Sequence, residues 1–279
     1  MTLRFIGIDP NTGDDECPTV WYDDEADEIV VQGWKATEKL RATATTPSPT
    51  QAVVPDLWHH YGRARADTER TVPGAFHWVW AQDGGPGVEV LGDFTGLVVA
   101  DLGAGAARHA AHLVTHYAPA RVDAVDASPA QHAMACDLYG HLAPHLRTVR
   151  SDATAHLEEH PDEYDVLYSV FGSLDFADPR RLLPAAARAL RPGGLLAAST
   201  LGHYLGGAPA EPDVQHADVP ARTTDGAPAT MHRWVLQETV WTKLLDESGF
   251  TKISVDRLPP AVPGARAADT LLVCAYRQP

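Results

Sequence analysis

The run Leu97-Val-Val-Ala-Asp-Leu-Gly-Ala-Gly-Ala-Ala-Arg-His-Ala110 constrains the fold more than any other stretch of the chain. Leu97 to Ala100 is unbroken apolar sequence, as expected of a strand buried on both faces of a parallel sheet. Asp101, Gly103 and Gly105 follow, then an Ala-rich run that reads as a helix. A strand, a glycine turn and a helix in immediate succession suit a nucleotide. Glycine lets the backbone approach a ligand closely, and the helix N-terminus offers free N–H groups. A Gly-x-Gly pair alone also fits an ordinary strand-to-helix turn, so the next strand decides.

That strand is Arg121-Val-Asp-Ala-Val-Asp126, and it ends on an acid about twenty residues beyond the glycine turn, where a carboxylate can accept hydrogen bonds from both ribose hydroxyls. Ser128 and Pro129 then open a helix as N-cap and first-turn proline. The ligand choice lies between a dinucleotide and S-adenosylmethionine (SAM). Ala107 or Arg108 stands where the dinucleotide fingerprint has its third glycine. A pyrophosphate needs that close approach more than a thioether amino acid does.

With these segments in this order, the chain resembles the class I SAM-dependent methyltransferases. Asp101-Leu-Gly-Ala-Gly105 looks like the first motif, Asp126 like the ribose-binding acid, and Ser151-Asp-Ala153 like the third-strand segment beside adenine. Tyr164 to Phe171 looks like the fourth strand, and Leu190-Arg-Pro-Gly-Gly194 like the turn before the fifth. The resemblance runs from about Trp58 to the C-terminus and departs from the family at Ala107. It implies a Rossmann-like α/β/α sandwich with a seven-stranded, mostly parallel sheet. It also implies SAM as cofactor, with S-adenosylhomocysteine as product. Cofactor contacts fall by the same resemblance on Asp101, Gly103, Ala104, Gly105, Asp126, Ala127, Asp152, Ala153, Ser169 and Phe171.

Charge narrows the partners. The 279 residues carry 22 Lys and Arg against 37 Asp and Glu, a net charge of -15. That excess opposes a large phosphate-binding surface, so no nucleic-acid partner is expected. No apolar run approaches a membrane span, and the N-terminus lacks a signal-peptide pattern, so no membrane partner is expected. Cys17, Cys136 and Cys274 are far apart and odd in number, which argues against a disulfide framework and for the cytoplasm. Homodimerisation is left open.

The N-terminal residues 1–41 read as a small accessory β module, with Thr19–Tyr22 and Glu28–Gln32 pairing across an acidic turn and a short helix-like piece after Gly33-Trp34. The module resembles short actinobacterial proteins of unknown role. Residues 42–55, rich in Ala, Thr and Pro, form a linker by composition. The domain proper is expected over residues 56–279, opening with a helical stretch from Asp56 to Arg70 for which Asp56 is a candidate N-cap.

Acceptor and catalytic residues are expected at the same sheet edge. In this fold the elements before the first strand commonly cover the active site, so Tyr61, His77, Trp78 and Trp80 are candidate pocket residues, aromatic faces being suited to a sulfonium or a cationic acceptor. Asp175 follows the fourth strand, where ligands of open α/β sheets sit, and is a candidate base or amine anchor. His203 and Tyr204 leave the fifth strand directly. His203 is the first candidate for a general base, and Tyr204 a candidate substrate contact. The segment from Leu201 to about Arg233 reads as an irregular insertion over the active-site edge. No metal is expected: His109, His112 and His116 share one helix face and His156 and His160 form an i, i+4 pair, but no carboxylate or Cys completes either set nearby.

The expected activity is methyl transfer from SAM to an N, O or C nucleophile of a small molecule such as a natural-product intermediate. Two alternatives remain: a peptide or protein methyltransferase that docks through residues 1–41, and a non-catalytic SAM-binding partner protein. An NAD-dependent oxidoreductase is disfavoured by the missing third glycine.

Overall fold

The computed structural model describes residues 3–8, 19–23, 28–32, 56–261 and 267–279. The chain divides into two compact units, residues 1–54 and 55–279. In the first, β1 (Leu3–Ile8), β2 (Thr19–Asp23) and β3 (Glu28–Gln32) form an antiparallel sheet in that order, with Thr19 opposite Gln32 and Asp23 opposite Glu28. The acidic turn at 24–27, the piece after Gly33-Trp34, the linker 42–55 and Cys17 lie outside the described residues.

The second unit is built on a seven-stranded sheet. Its strands are β4 (Val98–Leu102), β5 (Arg121–Asp126), β6 (Leu146–Arg150), β7 (Tyr164–Val170), β8 (Leu190–Leu201), β11 (Phe250–Leu258) and β12 (Thr270–Arg277). They lie in the order β11-β12-β8-β7-β4-β5-β6. The run from β8 to β6 is parallel, and β12 and β11 close one edge antiparallel. This is the Rossmann-like three-layer α/β/α class.

Apolar alternation on the central strands fills both layers. On β4, Ala100 and Leu102 join Leu167 in one core cluster with Leu157 of α4 (Ala153–Glu159), Leu182 of α6 (Pro179–Ala189) and Trp241 of α7 (Glu238–Glu247). Val99, between them, turns to the other face with Tyr168, Leu113 of α2 (Arg108–His116) and Leu138 of α3 (Pro129–Tyr139). Successive strand residues point to opposite faces, so a strand buried on both sides must be apolar throughout. Two further helices are short: α1 (Arg63–Thr68) and α5 (Ser173–Phe176). Among the described residues no helix is long and apolar enough to cross a membrane.

The chain runs outward from β4 to β5 and β6, then returns to β7 on the opposite side of β4. That reversal opens a crevice at the carboxyl ends of β4 and β7, where ligands of open sheets bind.

Two expectations about local structure are corrected. The helix expected from Asp56 is confined to Arg63–Thr68. Asp56 is drawn elsewhere: its carboxylate accepts from the Trp58 N–H (3.1 Å), the Ser128 hydroxyl (2.8 Å) and the Ala130 N–H (3.1 Å). The expected irregular insertion contains a β-hairpin, β9 (Ala217–Arg222) paired antiparallel with β10 (Pro228–Arg233). Its half-buried and exposed positions alternate, as a ribbon lying on the domain by one face requires.

Candidate active site

A cavity of about 350 Å³ opens at the ends of β4, β5 and β7, within the range of ~300–1,000 Å³ typical of small-molecule sites. Asp101, Gly103, Ala104 and Gly105 from the first turn wall it, with Asp126 and Ala127 after β5 and Asp152 and Ala153 after β6. Phe171 lies on the same wall after β7.

The glycine turn is tight for a structural reason. Gly103 has φ +76°, and a Cβ there would lie 2.5 Å from the Ser173 nitrogen. Gly172 faces it from the β7 loop, and a Cβ there would lie 2.5 Å from the Leu102 carbonyl oxygen. The two loops therefore touch backbone to backbone, which only glycine permits. Ala107, at the N-cap of α2, keeps a left-handed backbone (φ 57°) despite its side chain and is fully buried. The turn thus holds a conformation glycine would adopt freely, at a cost of about 1 kcal/mol. Phe171 is also left-handed (φ 48°). Such strain concentrates at ligand sites held by their surroundings.

Three carboxylates line the cavity, and no Lys or Arg forms an ion pair with any of them among the described residues. Asp152 caps α4, accepting from the Ala155 N–H (3.0 Å). Asp126 accepts from the Gly105 N–H (2.8 Å) and the Ser128 N–H (2.9 Å). Asp101 is 2% exposed and accepts from the Tyr168 hydroxyl (2.9 Å). Burial pushes the Asp101 carboxyl up to about 7, opposed by the Tyr168 hydrogen bond and assisted by the charge of Asp126. Burial also raises the Asp126 carboxyl above its ordinary value, against the two N–H donors. Both sites favour a cation or a hydroxyl-rich ligand that would complete their hydrogen bonding.

Part of the lining is aromatic. Trp58 stands edge-on to Tyr61 (5.5 Å) and to Phe176 (4.6 Å), and all three line the cavity. Gln131 holds this wall in place by donating through Nε2 to the carbonyls of Trp58 and Tyr61, 2.9 Å each. His109 also lines the cavity, with Nε2 3.1 Å from Gln82 Oε1. Burial, and then the nearby His112, Arg108 and Arg65, pull its imidazole down to about 4, so it is neutral at pH 7.

Several sequence candidates lie away from this wall. Ser169 is buried and donates to the Leu102 carbonyl (2.7 Å), supporting the turn from behind. Trp78 is a core residue, wholly buried, with its indole N–H on the Gly87 carbonyl (2.8 Å). Trp80 packs edge-on behind Phe171 at 5.0 Å. His77 and Tyr204 are not among the lining residues, and the Tyr204 hydroxyl donates to Glu211 (3.2 Å).

Both candidate bases are corrected. Asp175 is fully buried and forms an ion pair with Arg233, whose Nε donates to it at 3.1 Å, so it has no open face toward the cavity. His203 is outside the lining residues and both ring nitrogens are engaged: Nδ1 lies 2.9 Å from the Tyr204 carbonyl and Nε2 accepts from the Asp269 N–H at 3.2 Å.

Trp58, Phe176, His109 and Gln131 were missed as site residues. Phe176 was findable, because it follows β7 within the loop that the sheet topology assigns to ligands. Gln131 carries no local signal, since its partners are 73 and 70 residues away.

Comparison with known proteins agrees with this geometry. Residues 99–194 match the family described as "Methyltransferase domain". No curated protein matches the chain. Among solved structures, a putative S-adenosylmethionine-dependent methyltransferase from Listeria monocytogenes is 21% identical with a TM-score of 0.53, over 68% of this chain and 95% of that one. A phosphoethanolamine N-methyltransferase 2 from Haemonchus contortus, solved with phosphomonomethylethanolamine and S-adenosylhomocysteine, gives 14% identity and a TM-score of 0.51. That match covers 69% of this chain and 52% of the Haemonchus chain. The YcgJ protein of Bacillus subtilis gives 12% identity and a TM-score of 0.51, over 69% and 96% of the two chains. The glycine turn, the carboxylates at the ends of β4 and β5 and the fold are those of a Rossmann-like SAM-dependent methyltransferase, and residues 99–194 match a methyltransferase domain.

Proposed function

We propose that the domain methylates a nucleophilic N, O or C atom of a small molecule. The observation that carries this reading is that the aromatic cluster of Trp58, Tyr61 and Phe176 and the unpaired carboxylates of Asp101 and Asp126 line one and the same cavity. SAM, when bound, supplies an activated methyl group on a sulfonium. The residues supply position. Asp126 is proposed to hold the ribose hydroxyls, and Gly103 and Gly105 to admit the amino-acid end close to the backbone. Asp101, once ionised, would attract the ammonium group of that end, and Asp152 and Ala153 are assigned to the adenine. The cavity fits such a ligand on its own terms: Asp101 and Asp126 line it and neither forms an ion pair with a Lys or Arg among the described residues.

The aromatic wall would face the acceptor and stabilise positive charge through its π-faces, while neutral His109 adds no repulsion. With His203 and Asp175 both engaged elsewhere, the chemistry rests on proximity and orientation, and the acceptor must offer its lone pair without a dedicated base. The net charge of -15 disfavours a polyanionic acceptor.

The test is acceptor-dependent release of S-adenosylhomocysteine by the full chain. Small amines, phenols and carbon acids would be compared with an unstructured peptide library. Turnover with a small acceptor that Trp58→Ala depresses supports the proposal. Turnover with peptides alone, or with no acceptor of either class, overturns it.

A further inference from the structure

We propose that His216, Asp218 and His232 form a binding site for one divalent transition metal of the zinc class, on the outer face of the β9–β10 hairpin. None of the three lines the cavity.

The hairpin register builds the cluster. His216 and Asp218 are two residues apart, so along an extended strand they project from the same face. Asp218 pairs directly with His232 across the ribbon. One donor atom from each of the three side chains lies within 4.8 Å of the other two. His232 Nδ1 is 2.9 Å from Asp218 Oδ1, and the two imidazole centroids are 3.8 Å apart at 74°. Trp234 continues the same row and is 8% exposed. It stacks on His216 at 5.2 Å and 21°, which holds that ring beside the other two groups. An Asp–His ion pair alone accounts for Asp218 and His232. It gives no role to His216, which the buried indole keeps in reach of both.

Donor chemistry selects the metal. Two imidazoles and a carboxylate suit zinc and its neighbours in the first transition row, whereas calcium and magnesium take oxygen ligands. Nitrogen and oxygen ligands about 2.0–2.2 Å from a tetrahedral ion lie roughly 3.4 Å from each other. Donors within 4.8 Å close onto an ion by small rotations, and all three side chains are exposed and free to make them. Three protein ligands leave a position for water. The ion would tie the residue before β9 to β10, beside Arg233 and Trp234, whose side chain and N–H respectively bond Asp175 next to the cavity wall. Its bound state would therefore stiffen the base of the hairpin.

The test uses the full chain, free of tag histidines and stripped with chelator, titrated with zinc by calorimetry. Cobalt(II) serves as a second probe, read through its visible ligand-field bands. The expected result is one zinc per chain, a cobalt spectrum of low-coordinate nitrogen and oxygen ligation, and a loss of affinity of at least ~10-fold in His216→Ala and in His232→Ala. Asp218→Asn is expected to weaken binding by a smaller factor. SAM affinity, measured on the same samples, should be unchanged, which separates loss of ligands from loss of fold. Stoichiometric zinc binding that survives the His216→Ala/His232→Ala double variant would place the metal on other histidines and overturn the proposal. So would the absence of zinc binding by the stripped wild-type chain.

Discussion

Strand β5 carries two aspartates, Asp123 and Asp126, that the fold treats in opposite ways. Asp123 is fully buried and fully answered. Arg121 Nε donates to it at 2.8 Å, Arg147 through Nε at 2.9 Å and Nη2 at 2.6 Å, and the Tyr164 hydroxyl at 2.8 Å. His156 Nε2 then sits 2.7 Å from that hydroxyl, so the network continues into α4. Asp126, at the other end of the strand, receives two backbone N–H groups and faces a cavity. A buried charge that the protein neutralises itself is architecture, while one left for something else to answer marks a binding site. Asp101 belongs with Asp126: its donors are the neutral Tyr168 hydroxyl and the Ala110 backbone, and no cation pairs with it among the described residues.

The comparison breaks most visibly at Asp123. Asp123→Ala takes the shared partner from Arg121, Arg147 and Tyr164; because Arg147 is 45% exposed and Arg121 keeps Glu163, the loss should fall below the ~3–5 kcal/mol of a fully buried pair. Denaturant unfolding should show that loss, while the fraction still folded binds SAM with wild-type affinity. A weakened SAM affinity without lost stability would reverse the two roles.

A smaller effect sharpens the contrast through pH. The folded Asp101 carboxyl titrates near 7, above its ordinary value of 3.8. Between those values the folded chain holds a proton that the unfolded chain has lost, so stability falls as pH rises, by up to ~1.4 kcal/mol per pH unit. Asp101→Asn keeps an acceptor for Tyr168 and should flatten that part of the profile. Equal slopes for the two proteins between pH 4 and 7 would place the titration elsewhere. SAM affinity of the wild type should rise over the same interval, as Asp101 becomes an anion facing the ligand's ammonium group.

The smallest effect lies at Ala107. Ala107→Gly removes a left-handed strain of about 1 kcal/mol but also removes a buried methyl group worth about 0.8 kcal/mol. The expected change in unfolding free energy is near zero. Destabilisation by several kcal/mol would mean that the methyl group, and not the turn, is what the position requires.

The difference between the two aspartates also marks how far the sequence could be read. The central strands, the glycine turn and the acid that ends β5 follow from local apolar runs and fixed spacings, while the seven-stranded sheet is what the family resemblance implies. The Ser128 N-cap, accepting from the Gln131 N–H at 3.1 Å, is similarly local. What escaped depends on contacts between distant residues. Asp175 looks like a free loop acid until Arg233, 58 residues later, folds back onto it. His203 reads as a candidate base until its two ring nitrogens meet Tyr204 and Asp269. The hairpin reads as irregular chain in the sequence because its prolines and alanines give a weak strand signal, and its alternation emerges only once one face rests on the domain.

The most direct test of the central claim is a calorimetric titration of the full chain and of Asp126→Ala with SAM, S-adenosylhomocysteine and NAD. The account predicts binding of the two sulfur ligands and not of NAD. It predicts a loss in Asp126→Ala of about 1.5–3 kcal/mol, the worth of hydrogen bonds to a charged group, or roughly 10- to 150-fold in affinity, without lower thermal stability. Preference for NAD, or SAM binding that Asp126→Ala leaves untouched, would contradict it.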